Sequence, residues 1–284
     1  GIEPNSVTVK DPNRFKIKNN SEEGITLSNN PQLDFVRKIA NSVIDGSDEI
    51  QKALSKAKTE MNYPKTGLGK NLEWIGKLIK GNLNSKVYYT SLNGFDTHDN
   101  QVTSETSTTT GMHANLMKTL SDAIYAFQDD LQLLGLENRV AGMTFSEFGR
   151  QVASNYSLGT DHGDAAPMFL FGTCVSGSVI GNNPTIGDQI VNQAGIPIQY
   201  DFRDVYASIL KDWFLVDPLE IQTLFEHDVN FVEVLVGCGL SVEEKEFEKD
   251  GILIYPNPCV SSATLRFVAQ NERVHIELFD LNGR

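Results

Sequence analysis

Residues 112–145 read MHANLMKTLSDAIYAFQDDLQLLGLENRVAGMTF, and this stretch decides the fold class. Leu116, Leu120, Ile124, Phe127, Leu131 and Leu134 recur at steps of four, four, three, four and three, which is the stripe of an amphipathic helix. Gly135 stands where such a helix stops. Arg139 to Phe145 (RVAGMTF) then changes texture to a strand. A long helix feeding a strand is the unit from which α/β sheets are built.

The same alternation extends in both directions. Upstream, Lys86 to Leu92 (KVYYTSL) reads as a strand by its β-branched and aromatic content, and residues 71–81 (NLEWIGKLIKG) read as a short amphipathic helix with Gly81 as its cap. From Gln32 to Met61 the spacing of Leu33, Val36, Ile39 or Ala40, and Val43, then of Ile50, Leu54 and Ala57, predicts two helices. Downstream, a helix-like stretch follows Ser146, Pro167 to Gly172 (PMFLFG) reads as a strand, and a helix opens at the N-cap candidate Asp201. Its apolar face is Phe202, Val205, Tyr206, Ile209, Leu210, Trp213 and Phe214. The expected fold is therefore α/β, a largely parallel sheet flanked by helices over residues 31–240. Three or four strands are few for that span, so part of the sheet is expected from another polypeptide segment.

Residues 1–30 are polar and without periodicity, and are expected to be extended. Gly1 to Lys10 has no basic-then-apolar leader pattern, so a signal peptide is expected to be absent or already removed. Residues 241–250 (SVEEKEFEKD) hold five acidic and two basic residues and read as a solvated linker. Beyond it, residues 251–284 change to short strands, ILIYPNP, TLRFV and RVHIELF, as in the start of a small β-sandwich.

The net charge of −13 and pI of about 4.8 argue against nucleic acid, whose phosphates need Lys and Arg. No run of eighteen apolar residues is present, so no transmembrane helix is expected. Cys174, Cys238 and Cys259 form no CxxC; they read as buried small residues, with one bridge open to them. GxGxxG, Walker and GxSxG motifs are absent.

Three short motifs lie near predicted strands: Gly94-Phe95-Asp96-Thr97-His98, Ser146-Glu147-Phe148-Gly149-Arg150 and Gly159-Thr160-Asp161-His162-Gly163. In open α/β sheets, ligands bind beyond the carboxyl ends of the strands. Asp96, His98, Glu147, Asp161 and His162 are therefore expected to converge there as metal ligands. Imidazole with carboxylate suits zinc, manganese or iron, whereas calcium wants oxygen alone. An Asp-x-His spacing puts Asp96 and His98 on one side of an extended segment. Each residue also has a plainer reading: Asp96 and His98 could order a loop, Glu147 cap a helix or pair with Arg150, and Asp161 and His162 bond to a turn. His113, His227 and His275 stand outside the motifs and are read as surface or helix residues.

Taken together, GFDTH, the helix ending DDLQLLGL, SEFGR, GTDHG and the later DFR of residues 201–203 resemble the bacterial family called domain of unknown function 1501, over about residues 86–215. That family is similar in fold to alkaline phosphatases and sulfatases. The resemblance implies an alkaline-phosphatase-like fold and a divalent metal acting on phosphate or sulfate esters. By order along the chain, Asp96 and His98 resemble the first C-terminal metal pair of those enzymes and His162 their last metal histidine. Glu147 stands where they carry an Asp-His pair. Their nucleophile strand lies upstream of everything here. Arg150 is expected to bind the substrate anion, since its planar fork matches tetrahedral oxyanions.

Residues 251–284 resemble the first half of a type IX secretion sorting domain, an immunoglobulin-like sandwich, by Tyr255-Pro256-Asn257-Pro258 and the turn from Asp280 to Gly283. That implies export to the cell surface and the secretion machinery as a partner. The functional expectation is an exported metal-dependent ester hydrolase, and its rival is a non-catalytic surface or complex subunit that keeps the fold.

Overall fold

The structure is a computed structural model. It describes residues 30–187 and 195–236, the strand backbones at 252–255 and 264–267, and Val9 and Pro12 near the start; residue 31 and residues 34–45 are described as helix backbone only. The expected linker at 241–250, most of the expected 1–30 segment and strand 273–279 lie outside the described residues.

Helix α1 (Pro31–Lys56) opens on Asn30, whose side-chain oxygen accepts from the backbone N–H of Gln32 and Leu33. It runs as one helix where two were expected. Gly46 lies inside it, at a cost near 1 kcal/mol relative to alanine. Packing compensates, since Ser47, Ile50 and Ala53 are buried and the last two meet Leu78. Helix α2 (Gly67–Lys80) is capped by Thr66, whose hydroxyl accepts from Gly69 N–H at 3.1 Å. It ends at Gly81, where a Cβ would lie 2.2 Å from the Ala53 carbonyl oxygen, so only glycine lets α1 cross there.

Helix α3 (Met112–Leu133) packs Ala123, Phe127 and Leu131 against Leu68, Leu72 and Ile79 of α2. Gly135 follows in the left-handed region at φ 66. The buried Asp130 of α3 accepts from the N–H of Glu60 and Met61 and from the Tyr63 hydroxyl, which fastens the connection leading into α2.

Short strands follow α3. Strand β1 (Gly142–Met143) pairs antiparallel with β4 (Leu170–Phe171), and β2 (Gly149–Ser154) pairs antiparallel with β3 (Thr160–Gly163). Then come α4 (Phe202–Asp212), capped by Asp201, and α5 (Pro218–Leu224), capped by Asp217. Strands β5 (Ile252–Tyr255) and β6 (Thr264–Phe267) pair with each other, antiparallel.

The extended segments form a middle layer. Tyr88, Leu92, Val140 and Phe171 pack on the α2–α3 cluster. Their alternates Ala141 and Leu170 pack on a second cluster with Val205 of α4, Trp213 at its C-terminal cap, and Cys174, Val234 and Leu235. This period-two partition between two helical flanks is the α/β arrangement in general form. Cys174 is 1% exposed and disulfide-bonded; Cys238 and Cys259 lie outside the described residues.

Three expectations are corrected. Every ladder among the described residues is antiparallel, so the largely parallel sheet is not seen there. Residues 86–92 are extended and alternate inward and outward, yet they form no ladder among the described residues. The expected helix after Ser146 is strand β2: six residues with glycine at its head pair into a hairpin whose backbones close tightly at Gly149 and Gly163. Of the immunoglobulin-like sandwich, only the β5–β6 pair falls among the described residues.

Candidate metal centre

The hairpin register builds the site. Arg150 lies directly opposite His162, and opposed residues of an antiparallel pair project from the same face. Both side chains reach Asp96, on the loop that follows the extended segment. Along that loop the alternation sends Asp96 and His98 to the hairpin and Thr97 inward, where it is buried. The carboxylate of Asp161, one residue from His162, accepts from Asn155 Nδ2 at 3.3 Å.

Asp96 Oδ1 is the hub. It lies 3.0 Å from His98 Nδ1, 2.8 Å from His162 Nε2 and 2.7 Å from Arg150 Nη1. One ligand atom from each of Asp96, His98 and His162 falls within 4.8 Å of the others. The side chains are 55%, 48% and 49% exposed, open to solvent. The hydrogen bond to His162, then that from Arg150, holds the Asp96 carboxyl below its ordinary range. His162 is stacked on Phe148 at 3.7 Å, which fixes the plane of its ring.

The donor set fits a transition-metal ion: two imidazoles and a carboxylate, with room for water or substrate. A tetrahedral ion with bonds near 2.05 Å separates its ligand atoms by about 3.3 Å. The three candidate ligand atoms, within 4.8 Å of one another, would adjust to that spacing around an ion. Glu147 stands on an exposed bend and is not part of the group of three, and neither is Asp161.

A buried polar network supports the loop, and the sequence motifs do not announce it. Gln101 Oε1 accepts from the hydroxyls of both Thr97 and Thr160, each at 2.8 Å. Thr160 N–H donates to the Thr97 carbonyl at 3.3 Å. Asn155 Nδ2 donates to the His98 carbonyl at 2.7 Å, and Asn155 Oδ1 accepts from the N–H of Ser157 and Gly159. A Cβ at Gly159 would lie 2.3 Å from the His98 carbonyl, so glycine is what lets hairpin and loop touch. The trace of this network in the sequence is the threonine inside the first and third motifs.

A second aspartate–histidine pair was not foreseen. Asp204 Oδ1 accepts from Asn230 N–H and lies 3.0 Å from His227 Nε2. His227 is therefore a partly buried loop residue, not a surface or helical one. His113 is on α3, edge-on to Phe95; His275 lies outside the described residues. Beside Asp204 opens a groove of about 650 Å³ lined by Tyr200, Asp201, Asn230 and Phe231 among others; the three metal-ligand candidates do not line it.

The profile of a family described as protein of unknown function (DUF1501) matches residues 82–227, a span that holds every residue of both aspartate–histidine groups. No curated protein and no solved structure matches the chain.

Proposed function

The chain belongs to the DUF1501 family, and from the three ligand candidates inside the matched span we propose that it is an exported cell-surface protein that binds a divalent metal ion. The proposed reaction is hydrolysis of phosphate or sulfate esters, as in the alkaline phosphatases and sulfatases that its motifs resemble. One observation carries the reading: Asp96, His98 and His162, up to 66 residues apart in sequence, bring three ligand atoms within 4.8 Å on an open surface. Zinc, manganese and iron suit that donor set. Such an ion, when bound, polarises an ester oxygen and makes bound water a nucleophile at neutral pH. With Glu147 and Asp161 outside the group, the proposal is one ion with three protein ligands and an open position. The test is metal content by mass spectrometry after purification, together with turnover of 4-nitrophenyl phosphate and sulfate. One ion per chain, lost in His162→Gln, is expected. A metal-free chain with intact fold sinks the reading.

The second reading is a non-catalytic surface or complex subunit, and the exposed position of Glu147 favours it. Stoichiometric metal without turnover of either ester would select it.

A polypeptide partner follows from the middle layer. The backbone N–H and C=O groups of residues 88–94 make no hydrogen bond among the described residues, although Tyr88, Thr90 and Leu92 are partly buried. Unpaired strand backbone asks for another extended segment, either an N-terminal piece of the same precursor or a partner chain. Export rests on the sorting-domain resemblance of residues 251–284, with the secretion machinery as second partner. The Cys174 disulfide supports it, because such bonds persist in oxidising compartments. No described helix is long and apolar enough to cross a membrane.

A further inference from the structure

We propose that Arg150 is a positioning residue of the metal centre: it orients the Asp96 carboxylate, and it sets the site's metal affinity without touching the ion. The inference rests on the metal-binding reading above and deepens it.

The Arg150 side chain is 18% exposed, and its fork is turned toward protein. Nη1 donates to Asp96 Oδ1 at 2.7 Å, Nε donates to Thr160 Oγ1 at 3.0 Å, and Nη2 donates to the Thr160 carbonyl. Thr160 Oγ1 donates in turn to Gln101 Oε1, which also accepts from Thr97, the neighbour of Asp96. The contacts thus close a ring, Asp96–Arg150–Thr160–Gln101–Thr97, that returns to the chain next to where it began. Amide oxygen carries two lone pairs, so Gln101 Oε1 is saturated by its two hydroxyls.

Among the described residues, every contact of the Asp96 carboxylate falls on Oδ1, which leaves Oδ2 open to a ligand. An outer partner on one carboxylate oxygen, with the other free for metal, is how such groups orient and tune ligands. The fork suits this task because it is planar and rigid; a lysine ammonium in its place is a point charge on a flexible stem. Repulsion between guanidinium and ion works the other way, but water screens it at a site this exposed. Three of its five N–H groups are engaged with protein, and two remain for the anion-binding role expected of it.

The test is calorimetric titration of the full chain with zinc chloride and, separately, manganese chloride. Both Arg150→Lys and Arg150→Met are expected to weaken binding by about 10- to 100-fold, the range seen for outer partners of metal ligands. Thr160→Val should weaken it in the same direction by less, and Thr160→Ser, which keeps the hydroxyl, should restore it. This pair decides the matter if the Arg150 variants do not fold. Three results would overturn the proposal: Arg150→Lys binding as wild type does, Arg150→Met binding as tightly or more tightly, or Thr160→Val and Thr160→Ser binding alike. If the wild-type chain takes up neither ion, it is the metal reading itself that fails.

Discussion

The two aspartate–histidine groups of this chain use the same chemistry for opposite ends. Asp204 and His227 have side chains 9% and 21% exposed, and Asp204 Oδ1 is shared between an imidazole and the N–H of Asn230. Ser208, one turn along α4, holds the same loop through Val232 N–H. That pair ties residues 227–232 to α4. Asp96, His98 and His162 are half exposed and stand on a loop and a hairpin, and one carboxylate oxygen is left open. Burial makes a brace, whereas exposure makes a binding site. Residue identity alone does not separate the two.

The largest expected effect is on metal binding. Asp96→Asn should weaken zinc affinity by at least about 100-fold, the upper end of what an outer partner costs, because it removes a ligand itself. Its effect on stability should be small, as is usual for an exposed pair. Calorimetry and urea unfolding on the same sample check both halves. A large loss of stability with unchanged affinity would reverse the roles of the two groups.

Next comes the brace. Asp204→Ala leaves the imidazole N–H of His227 and the backbone N–H of Asn230 without their acceptor, at a cost of about 1–3 kcal/mol. Metal affinity of the folded fraction should not move. A midpoint in urea equal to wild type would show that Asp204 braces nothing.

The smallest effect is at low pH. The hydrogen bond from Arg203, above all, holds the Asp201 carboxyl down at about 2, below its ordinary 3.8. A depressed carboxyl stabilises the fold above its unfolded value and loses that contribution as pH falls through the folded one. The contribution should therefore fade between pH 3.8 and about 2. Asp201→Asn keeps a capping side chain, and its deficit against wild type should be full at pH 7 and fade through that window; a deficit as large at pH 2 as at pH 7 would contradict this linkage.

The helices were legible because their signals are local. The stripe from Leu116 to Leu134, the stop at Gly135, the cap at Asp201 and the stop at Gly81 all appear where the sequence puts them. The strands were less legible, since pairing depends on partners far along the chain. KVYYTSL has strand composition and strand-like alternation, yet no neighbour completes it among the described residues. The segment after Ser146 is too short for periodicity to separate helix from strand, and its hairpin with residues 160–163 decides. Within the site, the Asp-x-His spacing foretold one shared face. The choice of His162 over Asp161 needed the ladder register, and the network through Thr97, Gln101 and Thr160 needed three dimensions.

The separation of the three ligands along the chain has one more consequence. Asp96 and His162 lie 66 residues apart, with all of α3 between them. In an unfolded chain they meet only by closing a long loop, an entropic cost with nothing local to offset it. The three are therefore neighbours only in the folded molecule, and any ion they bind is a ligand of the native state alone. Mass action then couples occupancy to unfolding: free ion at a hundred times its dissociation constant adds about 2.7 kcal/mol to the native state. A melting curve run with and without metal thus reads the site and the fold in one experiment.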